Sequence, residues 1–364
     1  MKIHKIEIMK TIYYYGIDNN KGGMEAYAFN LIKGVLSQSK EYSFHIFSIF
    51  DDFAYKNELV NELKCKYTVL PNPKKHPFKY QKVISNVLKN RKDSDILHVN
   101  LMSFRNIFLL HSIKKANMKT IIVGHSINTN GFSKKLFHKF GRKIYGKLWT
   151  KVGMNQRVLD FMYQKNSQPQ FKISNGIELD KFSFNLDKRN EIRKQLNLSE
   201  NEIAIGQIGR LSKQKNQVFT CEIARKLENQ NATIFFFGKA TEKHIQKLIS
   251  KKKPKNIKVM GQVNNIVDVY NAMDLIIMPS KFEAGSLALY EGLANECNTI
   301  ISPHVPSDAI ESEYLKILSL DADIWANEIL IFCKNYKGRT LNEKNILPSL
   351  DDQIKNYLKL YNSL

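Results

Sequence analysis

The feature that most constrains this sequence is an alternation kept up along its length. Short apolar runs of strand character are separated by stretches whose apolar residues fall at helical spacing. In the first half the strand runs are KIEIMKTIYY, SFHIFSIF, KYTVLP, DILHVN and KTIIVGHS. In the second half they are EIAIGQIGR, ATIFFFG, IKVMGQV, DLIIMPS and NTIIS. Over residues 24–36, Met24, Tyr27, Ala28, Leu31 and Val35 mark one face of a helix. Repeated strand–helix units imply parallel sheets covered by helices, and two series imply two doubly wound α/β domains facing across a cleft. Pro169 and the turn pair Asn175-Gly176 interrupt the pattern and set the boundary. The domains are read as 1–172 and 173–345, with a C-terminal helix over 346–364 returning to the first domain. Ligands of such sheets sit beyond the carboxyl ends of the strands, where loops feed helix N-termini.

Length agrees with this division, because 364 residues exceed one ordinary core. A content of 43% hydrophobic and 11% aromatic residues is globular rather than disordered. No apolar run reaches the roughly 18 residues of a membrane span. The opening MKIHKIEIMKTIYYYG lacks the apolar core and small-residue cleavage site of a secretory signal. Cys65, Cys221, Cys297 and Cys333 match neither a zinc spacing nor a disulfide framework, so a reducing cytoplasm is expected. The net charge of +22, from 56 Lys+Arg against 34 Asp+Glu, points to nucleic acid, an anionic membrane surface or phosphorylated substrates, or to solubility alone.

The stretch PSKFEAGSLALYEGLANE, 279–296, narrows the choice. It follows a buried strand and opens a helix at Ser286, placing Glu283 on the loop before the helix and Glu291 inside it. Unpaired amides at the helix start form an anion site between the two carboxylates. A nucleotide sugar matches that order: hydroxyls of the sugar on Glu283, diphosphate at the helix start, ribose on Glu291. The plainer reading is a surface loop and an exposed helical glutamate. A second motif, GRLSKQKNQ, follows the strand EIAIGQIG and opens a helix through Phe219, Ile223 and Leu227. Gly209 permits close backbone approach, and Arg210 and Lys215 can converge on a phosphate, with Lys213 nearby. Gly22 and Gly23, in NNKGGMEAY after the first strand, can bring further amides to the phosphates.

The E-x7-E spacing in FEAGSLALYEGLA resembles the signature of the retaining glycosyltransferase family 4, whose members adopt the GT-B fold of two Rossmann-like domains. NNKGGMEAYAFNLIKGV, IIVGHSINTN, KISNGIELDKF and IGQIGRLSKQKNQ resemble further segments of that family in the same order, so the resemblance covers residues 10–305. It implies transfer of a sugar from a nucleotide-sugar donor, read as a UDP-sugar, to a hydroxyl with retention of configuration. Arg210 and Lys215 would neutralise the diphosphate, so no metal cofactor is expected. His125 would lie beside the donor sugar, and Val263, Gly285, Ser286 and Leu287 would complete the donor site. His-Ser-Ile-Asn stands where relatives often carry His-Ser-His-Asn, and Asn128 is the acceptor-side candidate. The acceptor implied is a growing lipid-linked bacterial glycan of a capsule, exopolysaccharide or lipooligosaccharide.

Residues 133–151, SKKLFHKFGRKIYGKLWTK, are the membrane candidate. Leu136, Phe140, Ile144 and Leu148 recur every four residues among cations that include Lys134, Lys135, Lys139, Arg142 and Lys143. Such a helix can lie on an anionic leaflet, as a peripheral protein of the inner membrane face, or pack its stripe on the first sheet. A GT-B sugar-nucleotide epimerase would share the architecture without an acceptor. A nucleic-acid-binding protein would explain the charge, but no such signature is visible, and nucleic acid is not an expected partner.

Overall fold

The computed structural model describes residues 9–129, 131–164, 169–263, 265–308, 310–339 and 346–364. The start of the first strand candidate, Asn130 and Gln168 lie outside the described residues. The chain forms two compact units, Met1–Asn175 with Leu350–Leu364, and Gly176–Ser349.

Unit 1 contains β1 (Lys10–Tyr15), α1 (Gly23–Gln38), β2 (Tyr42–Ser48), a π-helical turn (Asn57–Glu62), β3 (Lys66–Val69), α2 (Pro77–Leu88), β4 (Ile96–Leu101) and α3 (Ile107–Ala116). It continues with β5 (Lys119–Gly124), α4 (Phe132–Tyr145), β6 (Thr150–Gly153), α5 (Gln156–Met162) and β7 (Gln170–Lys172), and takes the last helix of the chain, α12 (Leu350–Ser363). Unit 2 holds a 3-10 turn (Leu179–Phe182), α6 (Leu186–Gln195), β8 (Ile203–Ile208), α7 (Gln217–Lys226), β9 (Ala232–Phe237) and α8 (Lys243–Lys252). After these come β10 (Ile257–Gly261), α9 (Ile266–Ala272), β11 (Leu275–Met278), α10 (Leu287–Ala294), β12 (Asn298–Ile301), β13 (Leu315–Ile317) and α11 (Ala322–Asn335).

Each sheet is parallel, with order β3-β2-β1-β4-β5-β6-β7 in unit 1 and β10-β9-β8-β11-β12-β13 in unit 2. Central strands such as β4, β8, β9 and β11 are buried along their whole length, as sheets covered on both faces require. Side chains of Asn106, Asn155, Asn185, Asn265 and Asp321 accept from first-turn amides and start α3, α5, α6, α9 and α11. In both sheets the order turns back at the first strand, between β1 and β4 and between β8 and β11. Loops leaving adjacent strands there diverge to opposite faces and open a crevice.

Three strands escape the sequence reading: β6, β7 and β13, of 4, 3 and 3 residues. β6 lies at the end of the stretch read as a helix through residue 151. That helix stops at Tyr145, and Trp149 takes a left-handed φ of 61° that no helix can continue through, so Leu148 belongs to no helical stripe. β7 extends the first sheet past Pro169, so the units divide at Asn175/Gly176 and Ser349/Leu350 rather than at 172/173 and 345/346. The stretch 250–258 read as a loop is helical to Lys252 and re-enters the sheet at Ile257.

The C-terminal helix α12 completes the core of unit 1. Ile354, Tyr357, Leu360 and Tyr361 are buried in it, the hydroxyls of Tyr357 and Tyr27 lie 2.5 Å apart, and the Tyr361 hydroxyl is 2.8 Å from His98 Nδ1. Unit 2 is tied at the amino edge of its sheet by Asp274. Its buried carboxylate accepts from Ala204 N at 2.8 Å, Arg193 Nη1 at 3.0 Å and the Tyr336 hydroxyl at 2.7 Å, and pairs with Arg189. Removing one member of such a buried set strands the others. Asp274→Ala is expected to destabilise unit 2 by about 3–5 kcal/mol in urea unfolding. A loss under about 1 kcal/mol, the scale of an exposed pair, would contradict this account of the network.

Candidate functional site

The carboxyl edge of the unit 2 sheet is built on glycine. β8, β9 and β10 each end at a glycine with positive φ: Gly209 at 137°, Gly238 at 145° and Gly261 at 72°. A Cβ on Gly238 would stand 2.3 Å from Gly209 O, and one on Gly209 would stand 2.8 Å from Lys215 Cε. The strand ends can therefore close on one another, and Lys215 can lie against bare backbone, only without side chains there. An open cavity of about 510 Å³ borders this edge, lined by Leu211, Gly238, Lys239, Gln246, Lys253 and Gly261 among others. It falls within the size range of small-ligand sites.

At the switch between β8 and β11 the two motifs meet. Lys215 Nζ lies 2.7 Å from Glu283 Oε1, although 68 residues (283 − 215) separate them. Ser280 Oγ donates to the same oxygen at 2.9 Å, and Gln214 Nε2 donates to Glu283 Oε2 at 3.2 Å and to Phe282 O at 3.0 Å. The Lys281 amide donates to Gln214 O at 2.8 Å, and Asn216, left-handed at φ 63°, donates to Pro279 O at 3.1 Å. The loop before α10 is thus fastened to the loop before α7 by side chain and backbone together. Arg210 is exposed, and its carbonyl accepts from Gln217 Nε2 at 3.0 Å. No hydrogen bond or ion pair engages its guanidinium among the described residues, which leaves it free to take an anion.

Ser286 is the N-cap of α10, buried and without a side-chain bond to the first-turn amides; Gly285 and Leu287 flank it half-buried. Glu291 follows inside the helix and accepts from the Tyr270 hydroxyl at 2.7 Å. Burial pushes its carboxyl above the usual range, while the Tyr270 hydrogen bond, Lys181 and Lys215 pull it back. Val263 packs half-buried against the core beneath α9 and α10. Sequence reasoning missed Gln214, Ser280 and Tyr270, since nothing in the linear pattern tells an orienting polar residue from a solvated one.

In unit 1, Gly22 is the N-cap of α1, and Gly23 faces open space. At Gly22 an acidic side chain stands close to the helix start. Glu25 is buried with its Oε2 only 2.8 Å from where a Cβ of Gly22 would sit, and backbone amides of Glu25, Asp18 and Gly22 hold down a carboxyl that burial raises. An acid three residues after the cap, reaching back to it, is one half of a capping box. His125, just beyond β5, is buried, with its Nε2 2.7 Å from Asn100 Oδ1 and its ring edge-on to Tyr27 at 4.9 Å. Burial lowers its pKa to about 4, so the ring is neutral at pH 7. Asn128 is exposed, its amide and carbonyl both bonded to Ser126 Oγ.

The stripe of α4 does not pack on the sheet. Phe132, Leu136, Phe137, Phe140 and Ile144 are all exposed, from 43% to 85%. The helix is anchored by its other face. His138 accepts from Phe104 N at 3.1 Å and bonds Phe161 O at 3.2 Å, and a Cβ on Gly141 would stand 1.9 Å from Phe104 O. Lys134, Lys135, Lys139 and Lys143 are exposed around the stripe, while Arg142 is half-buried and donates to Phe161 O at 3.1 Å.

Residues 188–318, which hold Arg210, Lys215, Glu283 and Glu291, match the family model described as Glycosyl transferases group 1. A capsular polysaccharide biosynthesis glycosyltransferase of Staphylococcus aureus, CapH, is 26% identical over 344 residues, 90% of this chain and 92% of that one. The UDP-Gal:alpha-D-GlcNAc-diphosphoundecaprenol alpha-1,3-galactosyltransferase of Escherichia coli is 25% identical over 198 residues, 49% of this chain and 51% of that one. Among solved structures, Anabaena Alr3699/HepE in complex with UDP and glucose superposes with a TM-score of 0.76 at 14% identity, covering 98% of this chain and 100% of that one. The protein has the two parallel-sheet α/β domains of the GT-B glycosyltransferases. It is a transferase, and the switch point of unit 2 lies inside its glycosyltransferase group 1 domain.

The raised carboxyl of Glu291 yields a test. A carboxyl raised on folding opposes folding once ionised, so its cost is absent below the unfolded carboxylate range and present in full above the folded value. Glu291→Gln keeps an acceptor for Tyr270 and removes the charge. It is expected to raise the thermal midpoint of unit 2 at pH 7, by an amount that shrinks as pH falls through the carboxylate range. A lower midpoint at pH 7 would show that Lys181 and Lys215 outweigh the burial.

Proposed function

We propose that this protein is a retaining glycosyltransferase of the family 4 type. It transfers a sugar from a UDP-sugar to a hydroxyl of a growing, lipid-linked bacterial surface glycan. The observation that carries the reading is the meeting of Lys215 and Glu283 at the strand-order switch of the matched domain, with an exposed Arg210 on the loop that leaves β8. The surface-glycan acceptor is supported by the likeness to CapH and to the diphosphoundecaprenol galactosyltransferase, and the UDP donor by that enzyme and by HepE.

In the proposed reaction Arg210 and Lys215 stabilise charge as the sugar–phosphate bond breaks, with amides near Ser286 adding to them. Two fixed cations do here the work a divalent metal does elsewhere, so the reaction is proposed to be metal-independent. A donor phosphate oxygen takes the acceptor's proton on the face the diphosphate leaves, which retains configuration. Glu283, already oriented by Ser280 and Gln214, holds hydroxyls of the sugar. Glu291 uses the carboxylate oxygen not bonded to Tyr270 to hold the ribose.

The protein is proposed to act on the inner face of the cell membrane. Among the described residues no helix is long and apolar enough to cross a bilayer. α4 instead exposes Phe132, Leu136, Phe137, Phe140 and Ile144 between lysines, the make-up of a helix lying in an anionic interface.

Charge stabilisation of this kind is worth about 3–4 kcal/mol per donor group, so Arg210→Ala and Lys215→Ala are each expected to lower turnover by roughly 10²–10³. The unfolding midpoint stays close to wild type for the exposed Arg210, whereas Lys215→Ala also strands the buried Glu283 carboxylate and lowers stability by about 3–5 kcal/mol. Near-normal turnover in both would remove them from the reaction. Co-sedimentation with vesicles rich in phosphatidylglycerol tests the membrane half. The wild type is expected to bind and Phe137→Glu/Phe140→Glu to bind weakly, whereas equal binding by the two would show that the stripe does not enter lipid.

A further inference from the structure

The strand-order switch of unit 1 carries a buried polar residue outside the proposed reaction, Asn100. Asn100 lies near the end of β4, a strand buried at all six positions, and is only 4% exposed. It stands between the ends of β1 and β5. Its Nδ2 donates to Tyr15 O, the last residue of β1, at 3.0 Å, and its Oδ1 lies 2.7 Å from Nε2 of His125, the residue after β5. The next residue of β1's exit, Gly16, has φ 117°, and a Cβ there would be 2.7 Å from Asn100 Cβ. Glycine is what lets the chain pass this close.

These contacts fix protons. A peptide carbonyl only accepts, so the end of the Asn100 amide facing Tyr15 O is its NH₂, and the end facing His125 is its oxygen. That oxygen only accepts as well, so Nε2 of His125 carries a hydrogen. In the neutral ring Nδ1 then holds a lone pair, and no protein group bonds it among the described residues. The backbone beneath the ring is held by the His125 amide donating to Leu101 O at 3.0 Å, and the ring packs against Tyr27 at an interplanar angle of 70° with centroids 4.9 Å apart.

We propose that Asn100 is a positioning residue for His125: it locks the imidazole as the Nε2–H tautomer and so leaves Nδ1 as an acceptor for a ligand hydroxyl, not a donor to a phosphate. This rests on the transferase reading for the identity of the ligand, but the tautomer itself is a property of the free protein. A purely structural Asn100 would fill space and satisfy Tyr15 O without governing which nitrogen bears the proton.

The test is a long-range ¹H–¹⁵N spectrum of the full chain, labelled at its 9 histidines, at pH 7 without donor. The His125 signals are assigned by their loss in His125→Gln. Nε2 is expected in the protonated, pyrrole-like range and Nδ1 in the bare, pyridine-like range. A protonated Nδ1, or an exchange average of the two forms, overturns the proposal. Asn100→Asp, which keeps an acceptor oxygen, is expected to keep the tautomer. Asn100→Leu, of similar size with no acceptor, is expected to lose it and to lower turnover by about tenfold or more. Retention of the tautomer, or of full turnover, in Asn100→Leu also overturns it. If that variant does not fold, the wild-type and Asn100→Asp spectra still decide. Absence of wild-type turnover with every nucleotide sugar would instead count against the transferase reading and leave the spectrum as it is.

Discussion

The buried ion pair between Lys215 and Glu283 is the contact on which the candidate site depends. It exists because the sheet of unit 2 reverses its strand order between β8 and β11, so that the loops leaving these neighbours diverge while their first residues stay within reach. Glycine at the ends of β8, β9 and β10 keeps that edge low, and Lys215 lies over it. Unit 1 repeats the device. Its order reverses between β1 and β4, Gly16 lets the chain pass Asn100, and His125 hangs from the adjacent strand.

A pair this buried is not there for stability alone. Desolvating an ammonium and a carboxylate costs several kcal/mol, and their attraction repays it only when the remaining valences are met. Glu283 meets them through Ser280 and Gln214. Lys215 has three hydrogens and, among the described residues, one carboxylate partner, which leaves donors for an anion. Glu291 shows the same bias from the other side, an acid buried at a cost, with one oxygen on Tyr270. Around the proposed donor, the protein holds charge in places where a folded core alone would not keep it.

Much of the fold was legible because parallel strands buried on both faces read as uninterrupted apolar runs. Those runs mark β1, β2, β4, β5, β8, β9, β11 and β12 within a few residues. β7 and β13 were not legible: 3-residue edge strands such as Gln-Phe-Lys carry no apolar run. α4 left two readings open, since an apolar stripe at helical spacing states that a face is apolar and not what covers it. The packed face holds His138 and Gly141, residues chosen for fit against Phe104 and Phe161. At the site, the charged residues stood out in their motifs, but their orienting partners did not. Gln214 and Ser280 look like any loop residues, and only their contacts with Glu283, 69 and 3 positions away, reveal their work. Asn100 and His98, by contrast, carried a usable signal as polar residues inside the apolar run DILHVN, since such residues need partners when buried.

The central claim, that the switch point of unit 2 holds a diphosphate through Arg210 and Lys215, is tested most directly by calorimetric titration of the full chain with UDP and with uridine. The account predicts that the wild type binds UDP more than tenfold tighter than uridine, and that an Arg210→Ala/Lys215→Ala protein binds the two alike. A wild type that does not distinguish them, or a double variant that still prefers UDP to the same degree, would contradict it.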